Sequence, residues 1–269
     1  MKLLIHPGFH KTGTSSLQRG AMARMDVLGA RMRLVIRDDL TDCVAAARLF
    51  SLNASTKQRR RFADGFGQAL AALDPEDPRP VLITAEDLSG WPPGRHGVPA
   101  YDAAPVLMAA ALDRIGALFG SAADVTVWYT TRAPAAWQRS MYWQNLRASR
   151  LTDDFDSYDA RWQRGAQLRD IVEQVRHALG RQARVVSTPL EDSRAHPLGH
   201  LKAALDLLGL PDDGLDAIPV ENVRPRAADA ELLALNRSDL SDTELAEAKR
   251  ALMRKLRLSG QMRVAPDRK

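Results

Sequence analysis

The chain has one cysteine, Cys43, among 269 residues. No internal disulfide can form, so a small stapled secreted scaffold is excluded. Cys43 lies near Leu40, Val44 and Ala47 and reads as a core thiol. The six histidines are scattered without Cys or carboxylate companions at ligand spacing, so no metal site is expected. Aromatics make up 6% of the chain and form no basic–aromatic module, which argues against nucleic acid as a partner. No apolar run approaches the length of a membrane-crossing helix. Met1-Lys2 leads straight into an apolar strand rather than a leader. There is no repeat and no low-complexity block. The expectation is a soluble, cytoplasmic, single domain over residues 1–269, with peripheral membrane contact left open and the last dozen residues frayed.

What is present points to an anion. Net charge is +5 with an isoelectric point near 9.6, which favours negatively charged ligands. Arg59-Arg60-Arg61 reads as a solvated helix face. Leu3-Leu4-Ile5 is a short apolar strand followed by His6-Pro7-Gly8-Phe9-His10-Lys11-Thr12-Gly13-Thr14-Ser15-Ser16 and a helical run from Leu17. Strand, Gly-containing loop and helix aim backbone N–H groups and a helix N-terminus at an anion. Lys11 adds charge; Thr12, Thr14, Ser15 and Ser16 add hydroxyls. The nucleotide-triphosphatase pattern G-x-x-x-x-G-K-[ST] is not met. Gly8 and Gly13 have its spacing, but Thr14 stands where Lys is required, and the Lys lies inside the loop at position 11.

The β-branched run Asp124 to Thr131 reads as a second informative strand. Arg132-Ala133-Pro134 ends it, and Pro134 suits a first helical turn. Arg132 therefore stands at a strand's C-terminal end, where open α/β sheets place ligands. Ser140 lies eight residues further, about two helical turns on.

These two segments, in this order, resemble the sulfotransferases that use 3′-phosphoadenosine 5′-phosphosulfate (PAPS), in the bacterial branch of that superfamily. The resemblance covers about the first 145 residues. It implies that the 5′-phosphosulfate is held by Lys11, Thr12, Gly13, Thr14 and Ser15, with His10 and Ser16 beside them. It implies a 3′-phosphate site at Arg132 and Ser140. The implied activity is transfer of a sulfuryl group to a hydroxyl or amine of a carbohydrate, glycolipid or small metabolite, with Lys11 stabilising the leaving group. Glu86, just after the apolar strand Val81 to Thr84, is the expected base, ahead of Asp87. His96 is the second candidate, because the cytosolic small-molecule enzymes use a His. Two features depart from the cytosolic pattern. Ser16 stands where an adenine-stacking Trp is found, and the late Arg-Lys-Gly motif is missing, with Leu258 to Arg263 at best a faint echo. Glu221 to Arg226 is a candidate late loop over the cofactor. The competing readings are a P-loop kinase or nucleotide hydrolase, which would need Mg²⁺, and a non-catalytic module binding PAP-like nucleotides or a polyanion.

The rest of the pattern alternates strands and helices. Strands are expected at 2–6, 31–36, 81–84, 124–130 and 183–187. Helices are expected at 15–27, 41–74 with a break near Asn53, 103–119, 133–149, 158–179, 200–208, 228–235 and 243–256. Residues 89–99 carry Gly90, Pro92, Pro93, Gly94, Gly97 and Pro99, so they form a loop with the length of a lid. The fold class expected is a three-layer α/β/α sandwich around a parallel sheet, of the P-loop type. Trp91, Trp137, Trp143, Tyr101 and Tyr142 are candidate acceptor-pocket rings, although Trp137 and Met141 have helical spacing that suits a core.

Overall fold

The computed structural model describes residues 1–193, 195–218 and 228–260. In chain order the elements are β1 (Lys2–His6), α1 (Thr14–Met22), α2 (Met25–Leu28), β2 (Arg33–Ile36), α3 (Thr41–Asn53), α4 (Thr56–Leu70), β3 (Val81–Thr84), α5 (Ala104–Phe119), β4 (Asp124–Thr131), α6 (Pro134–Ala148), α7 (Phe155–Trp162), α8 (Leu168–Leu179), β5 (Arg184–Pro189), α9 (Leu190–Ser193), α10 (His200–Leu208), α11 (Ala228–Arg237) and α12 (Asp242–Leu258). The chain forms two compact units. The first is Met1–Trp137 with Arg164–Ile218; the second is Gln138–Gln163 with Pro219–Lys269.

The first unit is built on a five-stranded, all-parallel sheet in the order β2-β3-β1-β4-β5. Parallel strands need crossover helices, so both faces are covered and the central strands read as unbroken apolar runs. Leu3, Leu4 and Ile5 of β1 and all four residues of β3 are buried accordingly. Side chains alternate across the sheet. Leu4, Leu34, Leu82, Trp128 and Val186 share one face with Leu17 and Ala21 of α1 and Leu201, Leu205 and Leu208 of α10. The opposite face carries Leu3, Ile5, Ile83 and Val127, with α5 and α8 packed together on that side and α8 on β4 and β5. Helices on both faces make the expected three-layer α/β/α sandwich. The chain leaves β1 toward β2 on one side, while β4 lies on the other. That reversal opens a crevice at the C-terminal ends of β1 and β4.

The second unit has its own core of Tyr142, Trp143, Leu146, Tyr158, Leu232, Leu252 and Leu256. Its helices carry explicit start signals. Asp154 accepts from the Ser157 amide at 2.9 Å, and Ser241 with Glu244 forms a reciprocal capping box. The C-terminal carbonyls of α6 are met by Lys249, which donates to Leu146 O at 2.7 Å and Ser149 O at 2.8 Å.

Several expected elements differ in detail. The helix expected at 158–179 is two helices, α7 and α8, joined by a 3₁₀ turn at Gln163–Ala166. Gly165 sits so close to Pro93 that a β-carbon there would come within 2.5 Å of the Pro93 ring, so packing from a distant loop breaks the helical run. The helix expected at 15–27 is interrupted after Met22, and the short α9 went unseen. One apolar stretch does reach the length of a membrane-crossing helix, contrary to expectation. Ala104–Ala122 is long and apolar enough by length and composition, but Leu107, Met108, Ala111 and Ile115 are buried in the first unit, as in a core helix. Residues 89–99 form the expected loop but not a loose flap, since Pro92, Pro93 and Val98 are buried and the Trp91 amide donates to Ser51 Oγ at 3.0 Å. The segment Glu221 to Arg226 and residues 261–269 lie outside the described residues.

Candidate functional site

The loop after β1 turns sharply three times, with positive φ at Gly8 (62°), Lys11 (66°) and Gly13 (100°). The two glycines are sterically required. A β-carbon on Gly8 would fall 2.8 Å from Thr14 Oγ1, and one on Gly13 would fall 2.4 Å from the His200 ring. Lys11 holds the left-handed conformation without that licence, which costs about 1–2 kcal/mol.

What holds the loop is a set of donors on its carbonyls. Ser89 Oγ donates to Gly8 O at 3.0 Å and reaches Pro7 O at 3.4 Å. Thr12 Oγ1 donates to Phe9 O at 2.7 Å. Trp137 Nε1 donates to His10 O at 2.8 Å, and Arg132 Nη1 to Lys11 O at 3.2 Å. His200 Nε2 lies 2.9 Å from Thr12 O. Every carbonyl from Pro7 to Thr12 is thus taken by a side chain. The amides of Gly13, Thr14 and Ser15 have no acceptor among the described residues, and they open the first turn of α1. Oriented amides without acceptors are a nest for an anion.

Below the loop runs a buried chain of hydroxyls whose direction follows from proton counting. The Thr12 hydroxyl spends its proton on Phe9 O, so it accepts from Thr130 Oγ1 at 2.8 Å. Thr130 therefore accepts from His6 Nε2 at 3.1 Å, and His6 Nδ1 accepts from Thr84 Oγ1 at 3.1 Å. Gln18 Nε2 closes the start of the chain on Thr84 O at 2.8 Å. His6 must be neutral for this arrangement. Burial, and then the nearby His200, lower its pKa to about 3. His200 is lowered to about 4 by burial, against the opposing pull of its bond to Thr12 O and of Glu191.

The two carboxylates after β3 divide cleanly. Asp87 is buried and takes Arg37 Nε at 3.0 Å, Arg48 Nη2 at 2.9 Å and His10 Nε2 at 3.3 Å. Burial pushes its pKa up, but the hydrogen bond and charge of His10, with Arg48 and Arg37, outweigh it and hold the carboxyl well below its ordinary value. Asp87 is a structural hub. Glu86 is only partly buried and lies against the loop, its Cβ 3.3 Å from where a Gly8 side chain would begin.

Lys11, Gly13, Thr14, Ser15, Arg132 and Glu86 thus gather around one loop. The Thr12 hydroxyl points inward, away from any ligand on the amide side. His10 works within the scaffold, sharing the Tyr101 hydroxyl through its amide (2.9 Å) and Nδ1 (3.0 Å) and reaching Asp87 through Nε2. Ser16 is partly exposed on α1. His96 is exposed and meets the Trp91 ring at 4.7 Å, with no hydrogen bond or ion pair to the loop among the described residues. Ser140, partly exposed on α6, belongs to the second unit. Of the candidate pocket rings, Trp137, Tyr101, Tyr142 and Trp143 are buried; Trp91 is partly exposed, with Arg48 4.4 Å above its ring. Sequence reasoning missed His200, Ser193, Tyr101, Thr130 and Trp137 as loop supports. Each is remote in sequence from the loop and carries no local signal of that role.

No protein-family model matches the chain, and no curated protein matches it. A structural comparison aligns it with the crystal structure of a sulfotransferase from Alicyclobacillus acidocaldarius at 16% identity and a TM-score of 0.46, covering 92% of this chain and 98% of that one. At that level the likeness carries no residue-by-residue correspondence.

Proposed function

We propose that this chain is a sulfotransferase that takes a sulfuryl group from PAPS and delivers it to a hydroxyl or amine of a carbohydrate, glycolipid or small metabolite. The observation that carries this reading is the loop at the β1 end. Its carbonyls are all tied off, its helix-start amides lack acceptors among the described residues, and Lys11 and Arg132 bring two cations to the same turn. Amides, an ammonium and a guanidinium, with no carboxylate in the loop itself, fit a ligand rich in phosphate oxygens.

When bound, PAPS supplies a sulfuryl group already joined to a phosphate leaving group. The amides of Gly13, Thr14 and Ser15 would hold that phosphate at the start of α1, where the helix dipole favours negative charge. Lys11 would add a full positive charge beside that phosphate, where a leaving group gathers negative charge. Arg132, which also braces Lys11 O, would bring its guanidinium charge to the 3′-phosphate. Glu86 would take the proton from the acceptor. Asp87 is kept from that role by Arg37, Arg48 and His10, which already occupy its oxygens.

Calorimetric titration with 3′-phosphoadenosine 5′-phosphate (PAP) tests the cofactor half. Lys11→Ala and Arg132→Ala should each weaken binding at least tenfold, about 1.4 kcal/mol or more. Unchanged dissociation constants in both variants would sink the assignment, and magnesium-dependent ATP turnover without PAP binding would point to a kinase or hydrolase instead. A screen of acceptors with labelled PAPS tests the catalytic half. Glu86→Gln should keep PAP affinity within about threefold and lose roughly 100-fold or more in turnover; wild-type turnover would remove Glu86 as the base.

A further inference from the structure

His200 opens α10 and is almost fully buried beneath the loop, 188 positions from the residue it holds. Its Nε2 lies 2.9 Å from Thr12 O and its Nδ1 2.7 Å from Ser193 Oγ. A carbonyl oxygen can only accept, so Nε2 carries the proton. In the neutral ring Nδ1 then accepts, and the Ser193 hydroxyl donates to it. The ring's orientation and tautomer are therefore both set, by Ser193 on one side and Thr12 on the other. The same ring fills the space beneath Gly13, where any β-carbon would collide with it. His200 thus touches the two residues on either side of the peptide that turns the loop into α1. Fixing Thr12 O on one side of that peptide turns the Gly13 N–H to the other, toward the ligand side of the turn.

We propose that His200 is a positioning residue for the anion-binding loop, acting as a neutral Nε2–H donor that sets the Thr12–Gly13 peptide, with Ser193 fixing its tautomer. The inference rests on the reading of the loop as a phosphate cradle. It adds a residue from the distant β5–α10 region that meets no ligand itself. Trp137 and Arg132 hold the preceding carbonyls in the same manner, but they do so near the loop's outer turn. His200 acts at the junction with α1, where the amides without acceptors begin.

Two amide substitutions separate this role from simple core filling. A glutamine carries its N–H₂ where Nε2 sits, whereas a shorter asparagine reaches only the Nδ1 position. His200→Gln should keep PAP affinity within about threefold of wild type, and His200→Asn should lose at least tenfold, a difference of about 1.4 kcal/mol. Hydrogen exchange of the peptide covering residues 9–16 should speed up in His200→Asn and stay near wild type in His200→Gln. Ser193→Ala, which leaves the ring in place but frees its tautomer, should fall between them and serves as the second variant if His200→Asn does not fold. Equal behaviour of the Gln and Asn variants in both loop exchange and affinity would overturn the proposal. A wild-type protein that binds no PAP would sink the cofactor reading alone, because loop exchange still decides the part played by His200.

Discussion

Gly13 is fixed by two independent demands. Its φ of 100° lies where a side chain is strained, and a β-carbon would also sit 2.4 Å from His200 Cδ2. Freeing one demand does not free the other. Gly13→Ala should therefore lower stability by about 2–4 kcal/mol and weaken PAP binding more than tenfold, read by urea unfolding and calorimetry on the same sample. Lys11 is the converse case. It occupies the left-handed region as a non-glycine residue, and its carbonyl is held there by Arg132. Both Lys11→Gly and Lys11→Ala remove the ammonium, but only glycine relaxes the backbone. The glycine variant should unfold at higher urea than the alanine variant, by about 1 kcal/mol. The reverse order would mean that the backbone at position 11 carries no strain.

At the scale of elements, the 3₁₀ turn Glu86–Ser89 after β3 works as a junction. Asp87 gathers partners from the loop (His10), from the turn after β2 (Arg37) and from α3 (Arg48), while Ser89 holds Gly8 O. Asp87→Asn keeps the shape and removes the charge. It leaves Arg48 and His10 beside a neutral amide and should cost about 3 kcal/mol, the low end for breaking a buried pair because both arginines keep some water. A loss under about 1 kcal/mol would show that the cluster is already solvated. The same turn shows what a sequence can and cannot disclose. The apolar runs Leu3-Leu4-Ile5 and Val81-Leu82-Ile83 announce central parallel strands, because burial on both faces leaves no alternation to hide. Gly8, Lys11, Gly13 and Arg132 could be read because loop chemistry is local. The expectation of Glu86 ahead of Asp87 rests on resemblance; the ties of Asp87 to Arg37 and Arg48 are contacts that pattern reading does not connect to position 87. The break at Gly165 depends on Pro93, and the loop's support depends on His200. Both are contacts between segments far apart in sequence, and neither leaves a periodic trace. The second unit was hidden for the same reason. The division after Trp137 falls inside α6, so no linker marks it.

Across the whole chain, the response to acid should be uneven. All six histidines lie in the first unit and none in the second. Two of them, His6 and His200, are buried and neutral, with folded-state pKa values lowered to about 3 and about 4. An unfolded histidine titrates near 6.5. Between the folded and unfolded values the unfolded chain binds more protons, so stability rises with pH across that window and falls as pH drops below about 6.5. At pH 5 each histidine should remove about 2 kcal/mol, a large share of a typical total of roughly 5–15 kcal/mol. Asp87, a carboxyl held below its ordinary value, acts in the same direction but only below about pH 4. In the second unit the buried Lys249 has its pKa lowered to about 8 by burial and by Arg150. Its unfolded counterpart titrates near 10.4, so its slope lies above pH 8 and it is silent between pH 7 and 5. Hydrogen exchange corrected for intrinsic rates should therefore show peptides of the sheet and loop losing protection between pH 7 and 5, while those of α11 and α12 hold theirs. His6→Gln and His200→Gln should each flatten the slope for the first unit. Equal loss in both units would trace the acid response to carboxylates spread over the chain rather than to the two histidines under the loop.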